Sequence, residues 1–241
     1  MNLKLKSFRR VYKFSTVAVT MLSVMYLLLL MFPQVLFAHS TTRGNFTIYS
    51  REPLGKEIDR VIEGAERRLR VSTLYDESVG RRVYLSGGFG MYAVLSHKAY
   101  RSFANSVPFI NNMILNKADV AGDLVYVDRG RNNSRSLSGV IAHETAHLFI
   151  RERYGTINAS LMPTWKNEGY CEYIAGDTTI PFEEGVRLWK EDPSDDSKYR
   201  FIKYQAMVRY LLEVEKLSVD ELFTGSLDAK DIEARTFASL P

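Results

Sequence analysis

Two of the chain's four histidines, His143 and His147, stand four residues apart, with Glu144 directly after the first. On a helix, residues four apart share one face, so both imidazoles can offer a ring nitrogen to the same ion. The H-E-x-x-H spacing also sets Glu144 beside the first ligand, where its carboxylate can take a proton from a water that the ion activates. Zinc fits such a set, because it binds imidazole and carboxylate tetrahedrally and can leave one position for water. Two histidines leave the set incomplete. Glu168, in the segment WKNEGYCEY and 21 positions beyond His147, is the expected third ligand. Glu172 follows four residues later, on the same helical face, and is expected to accept the other ring N–H of a histidine, His143 in preference, so fixing its tautomer. The plainer alternatives are histidines that cap or pack, and a solvated helix position for Glu172.

HETAH followed by WKNEGYCEY resembles the gluzincin class of zinc metallopeptidases, closest to peptidase MA-like domains with a thermolysin-like catalytic core. The resemblance covers about residues 123–217 and reaches the first hundred residues only loosely. It implies Glu144 as general base, Glu168 as third zinc ligand and Glu172 as the residue that orients a histidine. Trp165 and Gly169 also fit the family's pattern. The implied fold is α+β, a zincin-like domain with a mixed sheet beside the H-E-x-x-H helix, and DLVYVD (Asp123–Asp128) as the strand lining the substrate cleft. Gluzincins also supply a Tyr or His donor to the oxyanion that forms during hydrolysis, an interaction worth roughly 3 kcal/mol. Tyr199 and Tyr204 are the candidates here, against the alternative of ordinary packing in a chain with 14 tyrosines. The metzincin continuation is missing, since Ile150 and Arg153 occupy its Gly and His positions. Arg151 and Arg153 could anchor a substrate carboxylate, but a solvated, dipole-favoured helix end is the preferred reading. Cys171, the only cysteine, excludes an intrachain disulfide and reads as a small packed side chain. His39 and His97 have no partner pattern.

The elements that must hold these residues follow from periodicity and punctuation. Leu54, Ile58, Val61, Ile62, Ala65 and Leu69 recur at helical spacing after Pro53. Gly80–Ser86 and Asp123–Asp128 read as strands, and Met91–Phe103 as a helix. The metal helix is expected to start near Ser136 or Ser138, where a hydroxyl can cap it, and to run to about Glu152 before Gly155. A helix from Pro163 or Thr164 carries Glu168 and Glu172. GDTTIPFEEG and KEDPSDDSK read as loop, leading to a C-terminal helix from Tyr199 to Lys216.

The N-terminus answers a different demand. Phe14–Thr42 contains no Asp, Glu, Lys or Arg, and a bilayer core needs roughly 20 apolar residues of helix. Lys4, Lys6, Arg9, Arg10 and Lys13 precede it, which places residues 1–13 in the cytoplasm and the remainder outside. Residues 14–38 are then a transmembrane signal anchor or, with cleavage at Ala38, a signal peptide. Residues 39–51 form a linker or the first edge of the domain, and 52–241 the peptidase domain. Beyond residue 38 the 27 remaining basic side chains are balanced by 28 acidic ones, so the net charge of +4 belongs to the tail and does not mark a nucleic-acid partner.

These readings converge on a membrane-anchored, extracytoplasmic zinc metallopeptidase acting on a peptide or protein segment. A chain of 241 residues has little room for specificity domains, which leaves selectivity or activation to a regulatory membrane-protein partner. The rival is a non-catalytic zinc-binding scaffold or peptide-binding domain on the same anchor.

Overall fold

The computed structural model describes residues 2–96, 101–127, 133–193 and 199–240, with side chains from residue 12 onward. The basic tail and the apolar run form one helix, α1 (Asn2–Met31). Its Tyr12–Met31 stretch has a mean hydropathy of 2.1 and is long and apolar enough to cross a membrane, as a signal sequence or an anchor would be. A 3-10 turn, Pro33–Leu36, then leads into the mixed α+β body.

Residues 39–50 form a hairpin at one edge of the main sheet. β1 (His39–Arg43) and β2 (Phe46–Ser50) form a hairpin whose turn uses Gly44 at φ 53°, a conformation that costs glycine little. Phe46, Ile48 and Ser50 alternate inward, which fixes the register. Helix α2 (Glu57–Leu69) then crosses to β3 (Arg81–Leu85), which pairs parallel to β2. α2 buries Ile58, Val61, Ile62, Ala65 and Leu69, the face expected from the spacing, against the metal-motif helix. Leu54 packs on the same core from outside the helix.

Of the expected helix at Met91–Phe103, α3 spans Phe89–Ser96, residues 97–100 lie outside the described residues, and Ala104–Val107 is a strand, β4. β4 pairs antiparallel with β5 (Asn112–Leu115), which in turn lies parallel to β3. The five-stranded sheet therefore runs β1-β2-β3-β5-β4, mixed as anticipated, with β4 at one edge. DLVYVD falls elsewhere. Leu124–Tyr126 is β7 of a separate antiparallel sheet, flanked by β6 (Lys117–Asp119) and β8 (Ser134–Ser136).

Helix α4 (Leu137–Tyr154) carries the H-E-x-x-H motif and is buried along most of its length. The Ser136 hydroxyl caps it, accepting from the Gly139 amide, while Asp123 accepts from the Ser138 amide (2.8 Å) and hydroxyl (2.7 Å). Placing carboxylate charge at this end also suits the helix dipole. Gly155, at φ 83°, ends α4 and opens the short α5 (Thr156–Leu161). α6 (Thr164–Ala175) brings Glu168 and Glu172 back across α4 and stops at Gly176 in the left-handed region. GDTTIPFEEG contributes to a helix that loop-like composition concealed, α7 (Phe182–Glu191). The C-terminal helix is α8 (Arg200–Arg209), continued by a wider π turn at Tyr210–Val214; α9 (Val219–Thr224) and α10 (Ala229–Ser239) follow.

α6 and α8 approach closely at Gly169. A Cβ there would lie 2.8 Å from the carbonyl carbon of Tyr204 and 2.9 Å from Val208 Cγ2. Because backbone cannot yield as a flexible side chain does, Gly169→Ala should destabilise the full chain by about 1–3 kcal/mol despite alanine's better helix propensity. Thermal or urea unfolding in detergent should show this; an unchanged midpoint would mean that α6 and α8 separate without cost.

Candidate metal centre

One turn of α4 and one turn of α6 meet at a single point. The Nε2 atoms of His143 and His147 lie 3.2 Å apart. Glu168 faces both rings, with Oε2 3.4 Å from His143 Nε2 and Oε1 3.5 Å from His147 Nε2. Cys171 lies behind them: His143, His147 and Cys171 each offer a ligand atom within 4.8 Å of the others, forming a candidate metal-binding cluster. In the sequence alone, Cys171 reads only as a packed side chain. It is fully buried, but one helical turn beyond Glu168 also brings its sulfur toward the histidines.

The supports around the cluster are partly those anticipated. His143 Nδ1 lies 3.4 Å from Glu172 Oε1, too long for a good hydrogen bond, and among the described residues the nitrogen has no hydrogen-bond partner. Glu172 is instead gripped by Arg135, which donates from both terminal nitrogens to its two oxygens at 2.9 and 2.7 Å. Arg135 also donates to the Asp177 carbonyl, and Asp177 accepts from the Ser136 amide and hydroxyl. His147 Nδ1 pairs with Asn167 Oδ1 at 2.9 Å, and Asn167 Nδ2 donates to the Ala159 carbonyl. Neither Arg135 nor Asn167 was expected. Arg135 sits on the three-residue strand β8, in a polar stretch of sequence without strand periodicity, whereas the position of Asn167, one residue before Glu168, was an available clue.

Charge explains what this arrangement lacks. Burial alone would pull the His143 imidazole down, but Glu172 and Glu168 outweigh it and push His143 up to about 10. Burial would raise the Glu168 carboxyl, yet the facing imidazoles hold it well below the usual carboxylate range. Glu172 is likewise held low, by His143 and Arg135 against its burial. The Cys171 thiol moves the other way, raised by burial and then by the nearby carboxylates. Without a metal, the cluster therefore keeps a proton on His143 as its cation.

A cleft of about 620 Å³ opens over the cluster, lined by His143, Glu144, His147 and Glu168 and walled on one side by β4 residues 104–106. Residues 123–127 of DLVYVD are not part of its lining, because their strand belongs to the second sheet, and Asp128 lies outside the described residues. Tyr199 and Tyr204 are also absent from the lining. The period of α8 turns Arg200 and Phe201 to the cleft; Tyr199 is buried with Trp189 and Ala206, and Tyr204 packs on the main core. Arg151 points into the cleft, not to solvent, whereas Arg153 pairs with Asp220 at 2.8 Å. His39 sits exposed on β1, and His97 lies outside the described residues. A larger hollow of about 830 Å³, lined by residues such as Tyr75, Leu212 and Asp220, contains none of the cluster.

The residues fit a tetrahedral zinc ion. Ligands at about 2.0–2.1 Å in that geometry stand roughly 3.3 Å apart, close to the three separations among His143, His147 and Glu168. An ion must displace the His143 proton. Since the folded value lies above that of a free imidazole, protonation stabilises the metal-free fold fully below pH ~6.5, and this contribution is lost as pH rises through about 10. Zinc uptake at pH 8 should accordingly release about one proton, and affinity should climb toward pH 10. Calorimetry in buffers of different ionisation enthalpy measures this; no release at pH 8 would contradict a protonated His143. No protein-family model matches the chain, and no curated protein sequence matches it.

Proposed function

We propose that the chain is a membrane-anchored zinc peptidase of the gluzincin type, its metal held by His143, His147 and Glu168. The observation that carries this reading is the triangle of 3.2, 3.4 and 3.5 Å separations between the two ring nitrogens and the Glu168 carboxylate. Cys171 would be the third donor of a closed structural site. Glu168 is favoured because its oxygens lie 3.4 and 3.5 Å from the two ring nitrogens, and because a thiol must lose its proton to ligate while burial and three carboxylates oppose that loss.

Zinc in this position would polarise a carbonyl and acidify a water molecule. Glu144, one residue from His143 and lining the cleft, would take a proton from the attacking water as the water oxygen bonds to the peptide carbon. The C–N bond then breaks and Glu144 returns the proton to the leaving amine, giving an acid and an amine. Arg135 positions the site through Glu172, whose negative charge keeps His143 facing inward. The substrate class is a peptide in extended form, since the cleft wall is an edge strand and edge strands add a further strand through main-chain hydrogen bonds.

The packing of its outer end supports retention of α1 as an anchor. Leu29, Leu30 and Phe37 pack with Tyr84, Tyr92, Leu95 and Ile114. Asn112 Nδ2 donates to the Leu30 and Met31 carbonyls at 3.3 and 3.2 Å, and the Tyr26 hydroxyl donates to the Val94 carbonyl at 2.7 Å. Cleavage after Ala38 would strip this face. The site then acts close to the membrane surface, where a regulatory membrane protein could present substrate.

Glu144→Gln should keep zinc and lose roughly 10²–10⁴-fold in cleavage of a mixed peptide library. Metal analysis and turnover on protein taken from the membrane fraction test this, with intact mass expected to include residues 1–38. Zinc bound but no cleavage by wild type or variant would favour the scaffold reading; a membrane-free species beginning at His39 would overturn the anchor.

A further inference from the structure

Arg151 lies one turn beyond His147 on the face of α4 that carries the cluster, and it lines the same cleft. Its Nη1 reaches across to Ser106 Oγ on the edge strand at 3.2 Å. Nε and Nη2 are buried and, among the described residues, meet no hydrogen-bond acceptor. A guanidinium stripped of water with two donors unused is costly unless something completes it, and the fork matches a carboxylate. Glu144 acts on it electrostatically without filling those donors. The other arginine buried against the cluster, Arg135, already spends its fork on Glu172.

We propose that Arg151 is a specificity residue that receives a carboxylate of the substrate, within about two residues of the bond to be cut; this rests on the peptidase reading. Distance sets the limit. Four helical residues span about 6 Å, and an arginine side chain leans back toward its helix N-terminus. Two residues of extended peptide cover about 7 Å. The carboxylate is either the free end of the peptide chain or an aspartate or glutamate side chain beside the scissile bond. The bridge from Arg151 to Ser106 fixes the guanidinium between the metal helix and the strand along which such a peptide would lie.

The test compares zinc-loaded full chain in detergent on matched peptides: C-terminal acid against C-terminal amide, and glutamate against glutamine at positions flanking the cut. Wild type should favour the carboxylate member of one pair by roughly 10- to 100-fold in kcat/KM. Which pair responds identifies the source. In Arg151→Met the ratio should fall toward one, chiefly through KM, with Arg151→Lys intermediate and zinc content equal in all three. Indifference of wild type to both pairs, or a preference that survives Arg151→Met, overturns the proposal. If no peptide is cut at all, titration with an N-acetyl dipeptide acid and its amide decides separately. An acid preference lost in Arg151→Met upholds the carboxylate subsite while the peptidase reading falls. A carboxylate resting on the metal alone would bind both proteins equally, and that result sinks the subsite.

Discussion

The convergence of carboxylates and imidazoles in one buried spot is the constraint on which the rest depends. Glu168 and Glu172 face His143 from two sides, and His147 closes the third. Such a cluster cannot remain without positive charge, because unpaired carboxylates taken from water cost several kcal/mol each. Arg135 supplies one charge to Glu172, and a proton on His143 supplies another. A divalent ion would satisfy the same demand more completely, since it can meet both ring nitrogens and a Glu168 oxygen together. The helices α4 and α6 serve that requirement. Asp123 and Ser136 pin the start of α4, and the absence of a side chain at Gly169 lets α6 lie close against α8.

Local chemistry wrote the centre of this site legibly. The i, i+4 histidines and glutamates each required only that their segments be helical, and caps at Ser136 and Gly155 marked where α4 begins and ends. The face of α2 was equally readable, because an apolar stripe has one way to be buried. What escaped was set by tertiary partners. β4 and β5 are four residues each, and ANSV has no alternation to announce a strand; its pairing with β5 makes it one. DLVYVD looked like a cleft strand because its composition says strand and says nothing of which sheet.

The tyrosines lie off the cleft for a related reason. A residue near the head of a helix can face either side, and α8's packing on α7 gave Tyr199 to a separate cluster with Trp189. Arg151 shows the reverse: a charged residue near a helix end normally meets solvent, but β4, itself unseen in the sequence, brings Ser106 over it. Missing one edge strand therefore misplaced both the wall of the cleft and the role of an arginine.

X-ray absorption at the zinc edge of the loaded full chain distinguishes Glu168 from Cys171 on the metal, because sulfur and the lighter donors stand at different distances. Glu168 as third ligand predicts only nitrogen and oxygen neighbours, at about 2.0–2.1 Å, including two imidazoles. A sulfur neighbour at about 2.3 Å would place Cys171 on the metal in the role given to Glu168, and would contradict that assignment.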